Sequence, residues 1–178
     1  MPKTPHARLA AARRPATAAL RAALLGALLG LAAALPAFAQ LGSGQIRGRA
    51  PQAIDSGLLD FAGQAIHLYG LRGLAPEETC RLGGTSGRTW TCGQEARWAA
   101  RNRIASHWVD CVERARGPGG EVFAVCYLGG VGGPELNGWL VEQGWARVAA
   151  DYVPDHSGDY RAAEAAARAA GRGLWRGQ

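Results

Sequence analysis

The order of patterned segments along the chain predicts an α+β domain. Two short apolar runs joined by a polar turn come first; a helical stretch, a hairpin with a Gly/Pro turn and two further helical stretches follow. Residues 53–59 and 64–71 are the first two runs, and Asp60-Phe61-Ala62-Gly63 between them reads as a hairpin connection. Ala75-Pro76-Glu77 then turns the chain out of the sheet, and residues 81–88 form a Gly/Ser/Thr loop. A helix is expected over 93–105, where Ala96, Ala99, Ala100 and Ile104 recur at helical spacing and Arg97, Arg101 and Arg103 lie mostly outside that stripe. Residues 107–112 and 122–128 make a second hairpin around Arg116-Gly-Pro-Gly-Gly120. Residues 134–143 read as a short helix with Leu136, Leu140 and Val141 on its apolar face and Gly144 at its stop. Ser157 is the expected cap of a last helix over 158–170, ended by Gly171, after which Gly173-Leu174-Trp175 docks the tail.

The first 39 residues read as a signal peptide. Arg8, Arg13, Arg14 and Arg21 make a basic leader, residues 22–35 are an unbroken Ala/Leu/Gly run, and Ala37-Phe38-Ala39 offers small residues for cleavage before Gln40. The apolar run is shorter than the ~20 residues of a spanning helix, which argues against the rival reading of an uncleaved anchor. Residues 40–52 are expected to be a flexible lead-in, and 53–178 the folded domain. The product is expected to be periplasmic or secreted, with no membrane span in the mature chain, and a monomer.

Export changes what the charge means. The chain has 20 basic and 14 acidic residues, a net charge of +6, but Lys3 and four arginines lie in the leader. That leaves 15 basic residues against 14 acidic ones, so most of the apparent hint of nucleic-acid binding belongs to the export signal. All four cysteines, Cys80, Cys92, Cys111 and Cys126, lie beyond the leader. An even count behind an export signal reads as two disulfides with three possible pairings, and no short Cys-x-x-Cys spacing supports zinc or redox chemistry. If the second hairpin turns between Pro118 and Gly119, Cys111 and Cys126 face each other across it, and Cys80 pairs with Cys92.

Three blocks then carry a resemblance. They are Ile54-Asp55-Ser56-Gly57-Leu58, the run His67-Leu68-Tyr69-Gly70-Leu71-Arg72-Gly73-Leu74-Ala75-Pro76-Glu77, and Gly119-Gly120-Glu121-Val122-Phe123-Ala124-Val125-Cys126. In order and spacing they resemble the staphylococcal-nuclease-like (thermonuclease) family. Leu136-Asn137-Gly-Trp-Leu-Val141, Gly144-Trp145-Ala146 and Gly173-Leu174-Trp175 resemble its exported, cysteine-bearing branch. The resemblance covers nearly all of the mature chain and implies a five-stranded OB-type barrel with about three helices.

It also implies a site, which this chain departs from. A nuclease of this type needs carboxylates for Ca²⁺, guanidinium groups for the phosphate and a carboxylate to orient water. Matched to the family pattern, one metal-binding Asp falls at Gly57 and the following Thr at Leu58. The second metal-binding Asp has no counterpart, because Arg72-Gly73-Leu74 stands there with a two-residue insertion. The phosphate-binding arginines fall at His67 and Glu121. Asp55 matches the accessory Asp, and Glu77 alone matches the water-orienting Glu. The resemblance therefore implies an exported pseudonuclease acting as a binding or structural module, with no cofactor. Nucleic acid, a nucleotide or another anionic ligand is the partner class, and His67 with Arg72 the candidate anion contacts. The alternative is a metal-dependent endonuclease with a rearranged site, in which Asp55, Asp60 and Glu77 hold Ca²⁺.

Other residues have plainer readings beside the sharp ones. His107 and His156 lack ligand spacing with His67 and read as surface histidines. Trp90, Trp98, Trp108, Trp139, Trp145 and Trp175 read as core and tail packing rather than a stacking surface. Arg97, Arg101 and Arg103 read as a solvated helix face rather than a phosphate track.

Overall fold

The computed structural model describes residues 44–83, 87–154 and 159–177. Among these residues, ten strands, β1 (Gln45–Arg49), β2 (Gln52–Ala53), β3 (Leu58–Phe61), β4 (Gln64–Leu68), β5 (Leu71–Arg72), β6 (Cys80–Arg81), β7 (Thr89–Trp90), β8 (Trp108–Arg116), β9 (Val122–Leu128) and β10 (Arg147–Val148), combine with three helices. The helices are α1 (Cys92–Ile104), α2 (Leu136–Glu142) and α3 (Tyr160–Ala169), and a 3₁₀ turn spans Gly173–Trp175. The class is α+β, as expected.

The main sheet differs from a closed five-stranded barrel. It is six-stranded and mixed, in the order β1-β8-β9-β4-β3-β2, with β4 and β9 parallel and the other neighbours antiparallel. The sheet curls enough to lay Phe61 of β3 against Gly48 of β1, where a Cβ would meet the ring at 2.5 Å. No ladder joins these two strands. Two-stranded ribbons, β5 with β10 and β6 with β7, complete the strand set.

The expected lead-in is the clearest local correction. From Gly44 onward it is ordered, and β1 pairs along its length with β8, from Gln45↔Val112 to Arg49↔Trp108. The physical reason is a short period-2 pattern: Ile46 packs against the core while Gln45, Arg47 and Arg49 stay exposed. Residues 1–43 lie outside the described residues, so the leader and its cleavage point lie there too.

The first hairpin turns on two residues, Ala62 and Gly63, both at positive φ (54° and 97°), so Asp60 and Phe61 belong to the strand. The expected strand over 53–59 is split in two because residues 54–57 leave the sheet as a loop. The second hairpin carries a bulge between Glu113 and Ala115. Near the turn the pairs centre on Gly119 (Arg116↔Val122), and the extra residue restores Cys111↔Cys126 further along.

Disulfides join Cys80 to Cys92 and Cys111 to Cys126. The second lies inside the main core with Leu59, Ile66, Leu68, Val109, Leu136 and Leu140. The first anchors a smaller core with Leu74, Ala96, Ala167, Leu174 and Trp175. Both helices after the sheet are capped by carboxylates. Glu135 accepts from the Gly138 N–H at the start of α2, and Asp159 from the Arg161 N–H at the start of α3. Asp159 thus fills the role expected of Ser157, which lies outside the described residues, as does His156. Among the described residues, no helix is long and apolar enough to cross a membrane.

Candidate functional site

Two loops meet at the positions that the resemblance assigns to metal-binding acids. The first, residues 54–57, leaves β2 and enters β3; the second, residues 73–77, leaves β5. Buried Ser56 fastens them, its Oγ accepting a hydrogen bond from the Leu74 N–H at 2.8 Å. The Gly57 carbonyl accepts from the Leu68 N–H at 2.8 Å, tying the first loop to the end of β4. Gly57 and Gly73 lie back to back. A Cβ on Gly57 would sit 2.7 Å from the Gly73 nitrogen, and one on Gly73 would sit 2.4 Å from the Gly57 nitrogen. Neither place has room for a side chain of any kind, since real Cβ atoms do not approach backbone that closely.

Asp55 is half-buried beside this contact, its carboxylate accepting from the Gly57 N–H. Burial raises its pKa above the ordinary 3.8. Backbone N–H groups of Gly57 and Leu58 and the charge of His67 pull the other way, while the charge of Glu77 adds to the rise. Asp55, His67 and Glu77 therefore share one electrostatic neighbourhood. Glu77 is exposed in the turn after Pro76, whereas His67 is half-buried on β4 and stacks on Phe123 of β9 with ring centroids 5.0 Å apart.

The remaining candidates lie elsewhere. Asp60 sits at the hairpin end of β3, its carboxylate accepting from the Gly63 N–H at 2.9 Å. Arg72 is exposed on β5, where its Cα partner is Arg147 of β10; His67 belongs to the main sheet. Arg147 is itself paired with Glu78 at 2.8 Å. Glu121 is exposed and folds over its own turn, accepting from the Gly119 N–H at 2.9 Å. Among the described residues, no group of three or more His, Cys, Asp or Glu is placed to hold a metal ion. Calcium wants six to eight oxygen ligands. The residues here do not fit it: Gly57 offers no donor, Arg72 offers a cation, and the Asp55 carboxylate is drawn onto its own loop.

A groove of about 320 Å³ opens next to His67's partner Phe123. Tyr69, Leu71, Phe123 and Tyr152 line it, with Pro118 and Arg116 from the second hairpin. Tyr152 is rigidly held: it stacks on Tyr160 at 4.8 Å, meets Tyr69 edge-on at 6.0 Å, and carries the Arg161 guanidinium over its ring at 5.2 Å. Its ring lies on Gly70, whose φ of +77° and absent side chain allow the approach. Sequence reasoning did not assemble this groove. Its walls come from segments far apart in the chain, and Tyr152 carries no pattern of its own.

A curled mixed sheet with three helices and an aromatic groove suits an OB-type, nuclease-like domain. The staphylococcal nuclease homologue family matches residues 75–177. The chain belongs to that family. The matched span opens at Ala75, inside the loop that follows β5, so Arg72 and Gly73 lie before it. A curated relative, the succinoglycan biosynthesis protein ExoI of Rhizobium meliloti (strain 1021), is 30% identical over 126 residues. That alignment covers 70% of this chain and 62% of the relative, so the chain spans less than two thirds of the relative's length.

Proposed function

We propose that this protein is an exported binding module built on a nuclease scaffold, without the inherited phosphodiester hydrolysis. One observation carries the reading: Gly57 and Gly73 pack so closely that no metal-binding carboxylate can occupy either place. Arg72, exposed on β5, supplies no oxygen donor in their stead. With His67 and Glu121 at the positions of the phosphate-binding arginines, most of the charge stabilisation of a transition state is lost as well; a single electrostatic donor is worth about 10²–10³ in rate.

What persists is the aromatic groove. Its rings offer faces for a base or a sugar, and Arg116 at its rim, whose guanidinium already pairs with Glu113 at 2.7 Å, keeps further N–H groups for a phosphate or carboxylate opposite Asp151. A nucleotide-like or other ring-bearing anion suits it. The two disulfides fit an oxidising compartment, which supports a periplasmic or secreted location. The relative's name suggests a setting in succinoglycan biosynthesis for this chain.

The test is calcium-dependent digestion of plasmid DNA and RNA by the purified, oxidised protein, with a chelator and a Glu77→Ala control. No cleavage above the control is expected. Chelator-sensitive cleavage abolished by Glu77→Ala would overturn the reading in favour of a working nuclease.

A further inference from the structure

A second cleft, sharing no residue with the aromatic groove, lies between the corner joining β1 to β2 and helix α1. It encloses about 350 Å³. Its floor is apolar, from buried Pro51, Ala53 and Ile104, and its charged wall is Arg97 and Arg101. No acid lines it. Arg97 and Arg101 are four residues apart on α1 and so lie one above the other on the same helix face. The Arg97 Nε donates to the Ala53 carbonyl at 3.0 Å, which fixes that guanidinium against the cleft, and its two Nη groups have no hydrogen-bond partner among the described residues. Arg101 has no ion-pair partner among the described residues. Arg103, by contrast, turns away and lies over Trp139 at 5.0 Å. Trp98, between the two arginines in sequence, is 66% exposed, the joint highest among the large exposed apolar residues.

The backbone adds an independent sign. Three non-glycine residues among those described have positive φ: Ala50 (48°), Ala62 (54°) and Ala105 (43°). Ala62 belongs to a hairpin turn. The other two form part of the cleft lining, one on the β corner and one at the end of α1. Strain of this kind persists where the surroundings hold it, and it gathers at ligand sites.

We propose that this cleft binds a carboxylated saccharide. A sugar ring presents an apolar C–H face that lies flat on an indole, and a carboxylate on that ring meets a guanidinium fork with two parallel hydrogen bonds. Arg97 and Arg101 supply the fork in the cleft wall, and Trp98, outside the cleft lining, stands three residues before Arg101 on the neighbouring surface of α1. A volume of about 350 Å³ suits a unit of two sugars or so. Single-stranded nucleic acid fits less well. It is held by successive stacking platforms and by dense positive charge. This helix face offers one exposed ring, and residues 40–178 carry 15 basic side chains against 14 acidic ones.

The test is calorimetric titration of the full oxidised protein with a defined oligogalacturonide, its methyl-esterified form and (dT)10. The carboxylated sugar is expected to bind saturably, and its ester about tenfold more weakly or worse, since charged hydrogen bonds are lost. Arg101→Gln and Trp98→Ala are each expected to weaken binding about tenfold. Both residues are exposed, so the melting temperature should hold, and a variant that melts early is replaced by Arg97→Gln. Arg116→Ala, in the other groove, should leave this affinity unchanged, so the site stands or falls separately from the reading of that groove. No saturable binding, equal affinity in parent and variants, or binding of (dT)10 in place of the sugar would each overturn the proposal.

Discussion

Putting a methyl group on Gly57 probes the contact on which the functional reading rests. In Gly57→Ala the new Cβ meets backbone, the Gly73 nitrogen at 2.7 Å and its Cα at 2.9 Å, and no flexible side chain can yield. Gly57 does not have positive φ, so the effect isolates sterics from backbone strain. Relief requires the 73–77 loop to move and the Ser56–Leu74 hydrogen bond to lengthen. Overpacking of this kind costs about 1–3 kcal/mol. With an unfolding entropy of ~2.1 cal/mol/K per residue over about 139 residues, that lowers the melting temperature by about 3–10 °C. Differential scanning calorimetry of the oxidised protein measures it. Gly57→Asp should be worse, and calcium should not rescue it, because binding to the native state alone would have to raise its stability. Deleting Gly73 and Leu74 together with Gly57→Asp and Arg72→Asp removes the obstruction and restores two donors. Calcium-dependent stabilisation is expected only there. A Gly57→Asp protein that melts like the parent and is stabilised by calcium would refute the argument outright.

Asp55 has a folded pKa raised above 3.8 by burial, so its contribution to stability is present below pH 3.8 and is lost as pH rises through the folded value. Asp55→Asn keeps an acceptor for Gly57 and lacks that loss, so its melting temperature relative to the parent should rise with pH across this window and then level off; a fall would contradict the assignment. Asn137→Ala should cost at least about 2 kcal/mol in urea unfolding, since the Cys126 N–H and the Tyr69 carbonyl lose a buried partner. A cost below about 0.5 kcal/mol would show that those groups find other partners. Replacing both Cys111 and Cys126 by Ala opens a crosslink with a sequence separation of 15, worth about 3 kcal/mol. A chemical-denaturation midpoint unchanged by the double substitution would count against that share.

How much of this is visible in the chain depends on the range of the physics involved. Helix α1 is legible to within a residue because Ala96, Ala100 and Ile104 repeat at helical spacing, and all three are buried. β1 is not, because one inward Ile46 and a glycine make too weak a pattern. Its strand character comes from β8, sixty residues away. The pairing of Cys111 with Cys126 was expected from a hairpin turning between Pro118 and Gly119. The turn is centred on Gly119, and the bulge near Arg114 returns the register, so two local irregularities offset each other. Asn137 teaches the same lesson in the core. The β4–β9 ladder ends at Leu68↔Ala124, and beyond it the Asn137 amide acts as a strand would, accepting from the Cys126 N–H and donating to the Tyr69 and Ala124 carbonyls. Nothing local marks that residue as the continuation of a sheet. The candidate site divides along the same line. That Gly57 lacks a carboxylate can be read directly, but that Gly73 has closed over the space requires the fold. An absent ligand alone leaves a gap that another side chain or a water could fill. An absent ligand whose place is taken by backbone leaves no gap, and it is this second fact, not the first, that turns a missing residue into an argument about function.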